Sequence, residues 1–130
     1  MALGGGGRPE AAESGPEQVG GQGFIGQVIE GLDPKGLRGL VDDAKKRLGS
    51  GVAVLVAVNE GRASVAVGVT ADLAARISAV DLVRLGVAAL GGQGGGGRPD
   101  MAQGGGPDGA KALDAVQAVR AAVALSTEAA

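Results

Sequence analysis

A chain of 130 residues with 45% hydrophobic content can bury the core of one small domain. Cys and His are both absent, which excludes disulfides, thiolate metal sites and every Ser-His or Cys-His catalytic arrangement. The formal net charge is −2, and residues 1–21 account for all of it, with Arg8 against Glu10, Glu13 and Glu17. The rest of the chain is neutral and exerts no general pull on nucleic acid, so any RNA contact needs cations segregated on one patch.

Phe24 is the sole aromatic residue, and a core must therefore be assembled from Val, Leu, Ala and Ile. No apolar stretch approaches the roughly 18 residues that cross a bilayer. The N-terminus also lacks a basic-then-apolar signal pattern, so a cytoplasmic chain that meets no membrane is expected.

Residues 1–21 are rich in Gly, Glu, Ala and Pro, and are expected to form a disordered tail before a domain over 22–130. Within the tail, Ala2–Glu10 repeats Ala89-Leu90 followed by Gly94–Asp100 almost residue for residue, a duplicated fragment or the residue of a preceding domain, though low complexity makes chance repetition cheap. Phe24–Glu30 reads as a first strand. Asp33-Pro34 then marks a helix start, with an acceptor at the cap and proline in the first turn. Leu37, Leu40, Val41, Ala44 and Leu48 follow at helical spacing and predict one buried stripe, which Gly49 and Gly51 end.

Val52–Val58 is continuously apolar and β-branched, the pattern of a strand covered on both faces. Asn59-Glu60-Gly61 predicts a short turn into a second strand, Arg62–Val69. Thr70–Ile77 is expected to be a loop with a helical turn. Ser78 or Asp81 opens a helix with Val80, Val83, Val87 and Leu90 on its apolar face. After a glycine-rich run, Pro107-Asp108 opens a last helix with Leu113, Val116, Val119 and Val123 inward. The fold class is α/β, a small mixed sheet covered by helices, in the order β-α-β-β-α-Gly loop-α.

The run from Gly91 to Gly106 is built largely of glycine and interrupted by Arg98-Pro99-Asp100-Met101-Ala102-Gln103. Gly92-x-Gly94-x-x-Gly97 matches the dinucleotide fingerprint formally, but it follows a predicted helix where that motif must follow a strand. A phosphate-binding Walker loop fails as well, since Gly97 is followed by Arg98 and Pro99. Two readings stay open. One is a surface of backbone amides for phosphate or ribose, with Arg98 as its charged contact. The other is a close-packed glycine segment with Arg98 paired to Asp100.

The first helix carries Lys35, Arg38, Lys45, Lys46 and Arg47, interrupted by Asp42 and Asp43. Lys46 lies four residues after Asp42, the spacing of a solvated helix ion pair. Arg62 and Arg84 are isolated surface cations. The acidic residues show no metal-ligand or catalytic spacing, and no nucleophile lies near a base. No cofactor is expected on this chain, and it does not read as an enzyme on its own residues.

Asp33–Asp43, the strand pair ending at Val69, and Gly94–Gly105 together resemble the C-terminal globular domain of alanyl-tRNA synthetase over about residues 23–125. The block Gly-Gly-Gly-Arg-Pro-Asp-Met-Ala-Gln-Gly-Gly carries most of that likeness. The resemblance implies a non-catalytic module that contacts the elbow of alanine-specific tRNA, supports aminoacylation and editing done by other domains of the synthetase, and allows a homodimer. It assigns Gly94, Gly95, Gly96, Gly97, Arg98 and Gln103 to the tRNA contact, with Lys35, Arg38, Lys45 and Lys46 as nearby cations. A related domain follows the catalytic module of DHH-type phosphoesterases, where a histidine closes the glycine run. Arg98 stands at that place here, which counts against a substrate-holding role in phosphoester hydrolysis. A protein-interaction unit without RNA contact is the other alternative.

Overall fold

The computed structural model describes residues 17–19, 22–92 and 94–128. Among these residues six strands form one sheet: β1 (Glu17–Val19), β2 (Gln22–Glu30), β3 (Gly51–Asn59), β4 (Arg62–Val69), β5 (Gly96–Arg98) and β6 (Met101–Gly106). Their order across the sheet is β1-β2-β3-β4-β6-β5. Only β2 and β3 run parallel, joined by helix α1 (Leu37–Leu48). Every other neighbouring pair is antiparallel. The short α2 (Ala71–Ala74), α3 (Ala79–Ala89) and α4 (Ala112–Glu128) complete the chain. Of the tail expected over 1–21, only Glu17–Val19 lie within the described residues, paired with β2.

The mixed sheet with helices on both faces is the fold class that the sequence predicts. Alternation along each strand sorts the side chains. Val52, Val54, Val56, Val65, Val67 and Val69 join Phe24 beneath α3 and α4 in the main core. Leu55, Ala57 and Ala66 point the other way and pack with Leu37 and Val41 of α1 and with Met101. The continuous apolar run of β3 is therefore buried twice over. That double cover is the physical reason for its lack of alternation.

Local signals account for the joints. The Asp33 carboxylate accepts the Lys35 N–H at 2.9 Å, opening a 3-10 turn over Pro34–Gly36 that runs into α1. At the β3–β4 turn Glu60 and Gly61 have φ of 53° and 80°. Both central residues in the left-handed region are the mark of the hairpin turn that suits strand twist. Ser78 caps α3, its hydroxyl accepting the Val80 N–H at 3.2 Å.

Three expectations need correction. The glycine segment reads as a loop in sequence, yet it contains β5 and β6, which extend the sheet past β4. Glycine weakens a strand in isolation. Here β4 supplies a ready ladder, and the missing side chains let α3 sit close: a Cβ on Gly104 would press into the Val87 side chain. Leu113 is not inward but 58% exposed. Helix α4 buries Val116, Val119 and Val123 as expected, and Ala112 and Ala115 complete the stripe in place of Leu113. Leu40, expected in the α1 stripe, is 36% exposed at its margin, while Leu37, Val41 and Ala44 are buried.

Candidate nucleic-acid interface

The hairpin β5–β6 forms one edge of the sheet, paired Gly96 with Gln103, Gly97 with Ala102 and Arg98 with Met101. Pro99 and Asp100 make the turn between them. All three residues of β5 are exposed. Gly97 has φ of 150°, and a Cβ there would collide with the Met101 carbonyl. Only glycine serves at that position.

Backbone bonds fix the turn from two sides. The Pro99 carbonyl accepts the Ala79 N–H at 2.8 Å at the start of α3, and the Asp100 carbonyl accepts the Val69 N–H at 3.0 Å. From α1, Lys45 Nζ donates to the same Asp100 carbonyl at 3.2 Å and lies 4.0 Å from its carboxylate. The other side of that carboxylate holds Arg98 Nε at 3.7 Å. Asp100 is thus the pivot between an inner, mostly buried cation and an outer, mostly exposed one.

Over the hairpin lies a groove of about 170 Å³ lined by Arg38, Gly96, Gly97, Arg98, Met101, Ala102 and Gln103. Arg38 reaches it from α1, and both arginines are exposed. Five residues assigned to the tRNA contact therefore meet here: Arg38, Gly96, Gly97, Arg98 and Gln103. Lys45 adjoins them through Asp100. The remaining four lie elsewhere. Gly94 is exposed ahead of β5, Gly95 faces Val83 and Val87 of α3, and Lys35 stands on the turn before α1. Lys46 lines a separate cavity with Gln27, Leu40, Asp43 and Arg47. No ion pair forms between Asp42 and Lys46.

Two features escape the sequence reading. Asp72 accepts hydrogen bonds from the hydroxyls of Ser50 and Thr70, the second at 2.6 Å, and Thr70 Oγ1 accepts the Gly51 N–H at 2.9 Å. The Ser50 bond first, then the Thr70 bond, hold the Asp72 carboxyl below its ordinary value. The second feature is a cavity of about 540 Å³ at the β3–β4 turn, lined by Asn59, Glu60, Arg62 and Ser64 among others. Its one sequence signal is the alternation of Arg62 and Ser64, which puts both on one sheet face. Among the described residues, no three His, Cys, Asp or Glu side chains come together as a metal site. No described helix is long and apolar enough to cross a membrane.

The DHHA1 domain model matches residues 21–125. The chain belongs to the DHHA1 domain family. This DHHA1 domain is 76% identical over 124 residues to the alanine–tRNA ligase of Rhizorhabdus wittichii, and 67% identical over 126 residues to that of Sphingopyxis alaskensis. Each match covers 95% of this chain and 14% of the relative, so the chain spans about one seventh of their length. Its fold is also similar to the crystal structure of the C-Ala domain from Aquifex aeolicus alanyl-tRNA synthetase. There the TM-score is 0.79 at 29% identity, over 85% of this chain and 99% of that one. The resemblance read from the Gly-Arg-Pro-Asp-Met-Ala-Gln block is borne out.

Proposed function

We propose that this DHHA1 domain is a non-catalytic tRNA-binding and assembly module of an alanine–tRNA ligase, docking on the elbow of alanine-specific tRNA. Its partners are that tRNA and the catalytic and editing domains of the synthetase, in the cytoplasm, with no cofactor on this chain. The carrying observation is the convergence of Arg38 and Arg98 over the backbone of Gly96 and Gly97 at an exposed sheet edge.

The chemistry follows from that geometry. Two guanidiniums supply planar, bidentate donors to phosphate. A floor without side chains lets a sugar–phosphate backbone approach main-chain groups closely. With no exposed aromatic ring there is no platform for base stacking, so the groove suits a folded RNA read through shape and phosphate contacts. Docking the elbow would raise the effective concentration of the acceptor end at catalytic domains carried elsewhere.

A second reading, a homodimer or other protein contact without RNA, draws on β5 as a sheet edge with no strand beyond it among the described residues. Titration with tRNA at low and physiological salt separates the two. Phosphate contacts make affinity fall steeply with salt, whereas strand-edge pairing with a protein is far less sensitive.

A further inference from the structure

We propose that the cavity at the β3–β4 turn takes a single unpaired nucleotide of the same RNA, with its phosphate on Arg62 and its ribose or base edge against Asn59, Glu60 and Ser64. The proposal rests on the tRNA reading above and adds a second contact to it.

Position is the first argument. Ser64 pairs with Gly105, and Ala66 pairs with Gln103, which in turn pairs with Gly96. By strand alternation Arg62, Ser64, Ala66 and Gly68 share one face of β4, the face that carries α1. Helix α1 covers the Ala66, Gly68 and Met101 end of that face. Ser64 and Gly105 line the turn cavity and Gln103 lines the hairpin groove, all three half-buried on that same face. Gly68 lies opposite Met101, and Arg62 is six residues along β4. At about 3.4 Å per residue the two ends are roughly 20 Å apart, a span that one RNA backbone can follow.

Chemistry is the second. At about 540 Å³ the cavity is within the usual range for small-ligand sites. It presents a guanidinium, a carboxylate, an amide and a hydroxyl beside the backbone of Gly105. A carboxylate in the lining disfavours a free inorganic anion. It suits a ligand with both acceptors and donors, such as a nucleotide, whose phosphate accepts from Arg62 while a ribose hydroxyl or base N–H donates to Glu60. A 2′-hydroxyl, donor and acceptor at once, fits such a mixed set.

Strain is the third. Glu60 has φ of 53°, and among the described residues no other non-glycine residue has a positive φ. The same turn position ordinarily takes Asn, Asp or Gly. Glutamate there brings a carboxylate into the cavity lining at a local backbone cost, the kind of strain that clusters at ligand sites.

The test is fluorescence anisotropy of the chain and its variants with alanine tRNA and with a blunt RNA duplex that has no unpaired nucleotide. Arg62→Ala is expected to weaken tRNA binding about tenfold. It should lower the salt slope by about one and leave duplex binding unchanged. Ser64→Phe, which fills the cavity, is expected to weaken tRNA binding selectively, with circular dichroism confirming the fold. Equal weakening of tRNA and duplex by Arg62→Ala would reduce Arg62 to a general phosphate contact and overturn the nucleotide site. Parent-like tRNA binding by both variants, with Arg98→Ala weakened, would overturn the cavity and leave the groove standing. Failure of the parent chain to bind tRNA would overturn the groove reading and this site with it.

Discussion

Lys45 Nζ donates to the backbone carbonyl of Asp100 at 3.2 Å across 55 positions of chain, tying the last turns of α1 to the β5–β6 hairpin. The Lys45 side chain is only 18% exposed, with its ammonium already engaged by Asp100. Lys45 therefore acts as a strut for the hairpin, and the outward cations are left to Arg38 and Arg98. Substitution to methionine, which keeps the apolar stem, is expected to lower stability by about 1 kcal/mol. The slope of RNA affinity against salt should stay that of the parent. Urea unfolding and a salt series measure the two effects.

Arg98 and Asp100 predict opposite outcomes. Arg98→Ala removes an exposed guanidinium of the groove, and tRNA binding should weaken by about 1–3 kcal/mol. Asp100→Asn removes a carboxylate 3.7 Å from Arg98 that competes with an incoming phosphate. Affinity at low salt should then rise a few fold, the effect of losing one surface charge of about 0.5–1 kcal/mol. Titrations of the two variants side by side check the signs.

Gly68 is where α1 meets the sheet. An added Cβ would press on the side chains of Val41 and Lys45, the latter 2.7 Å away at Cδ. Gly68→Ala is expected to destabilise by roughly 1–3 kcal/mol through overpacking. Displacing Lys45 should also loosen the hairpin, so thermal melts and tRNA titrations should both move.

Asp72 sets an acid limit. Its carboxyl titrates below the ordinary value because Ser50 and Thr70 donate to the ionised form. The contribution is therefore complete above the unfolded value of about 3.9 and is lost as pH falls through the lower native value. Asp72→Asn should reduce stability at neutral pH and flatten the acid limb, measured as melting temperature from pH 7 to pH 2.

Much of this architecture was legible in the residues. Val52–Val58 announced a doubly buried strand, and Asn59-Glu60-Gly61 announced the hairpin, because β-branching and turn chemistry act locally. The segment at Gly91–Gly106 was not readable in the same way. Without side chains it has no apolar period, and its strands form only because β4 offers a partner and α3 a surface that tolerates nothing larger. On α4 the valines at 116, 119 and 123 mark the buried stripe, but Leu113 does not join it: Ala112 and Ala115 fill that end, and small alanines give little sequence signal of which face is buried. Within the site, the charges could be seen but not their division of labour. That Lys45 faces inward to Asp100 while Arg38 and Arg98 meet over the hairpin depends on α1 crossing Gly68, a contact between distant segments.

The most direct test of the central claim is a titration of this chain with folded alanine tRNA at low and physiological salt, with an unrelated structured RNA as competitor. The groove of Arg38, Arg98 and the glycine floor predicts salt-sensitive binding that prefers tRNA and is weakened in Arg98→Ala. Absence of binding at both salts, or equal affinity for the competitor, would contradict it.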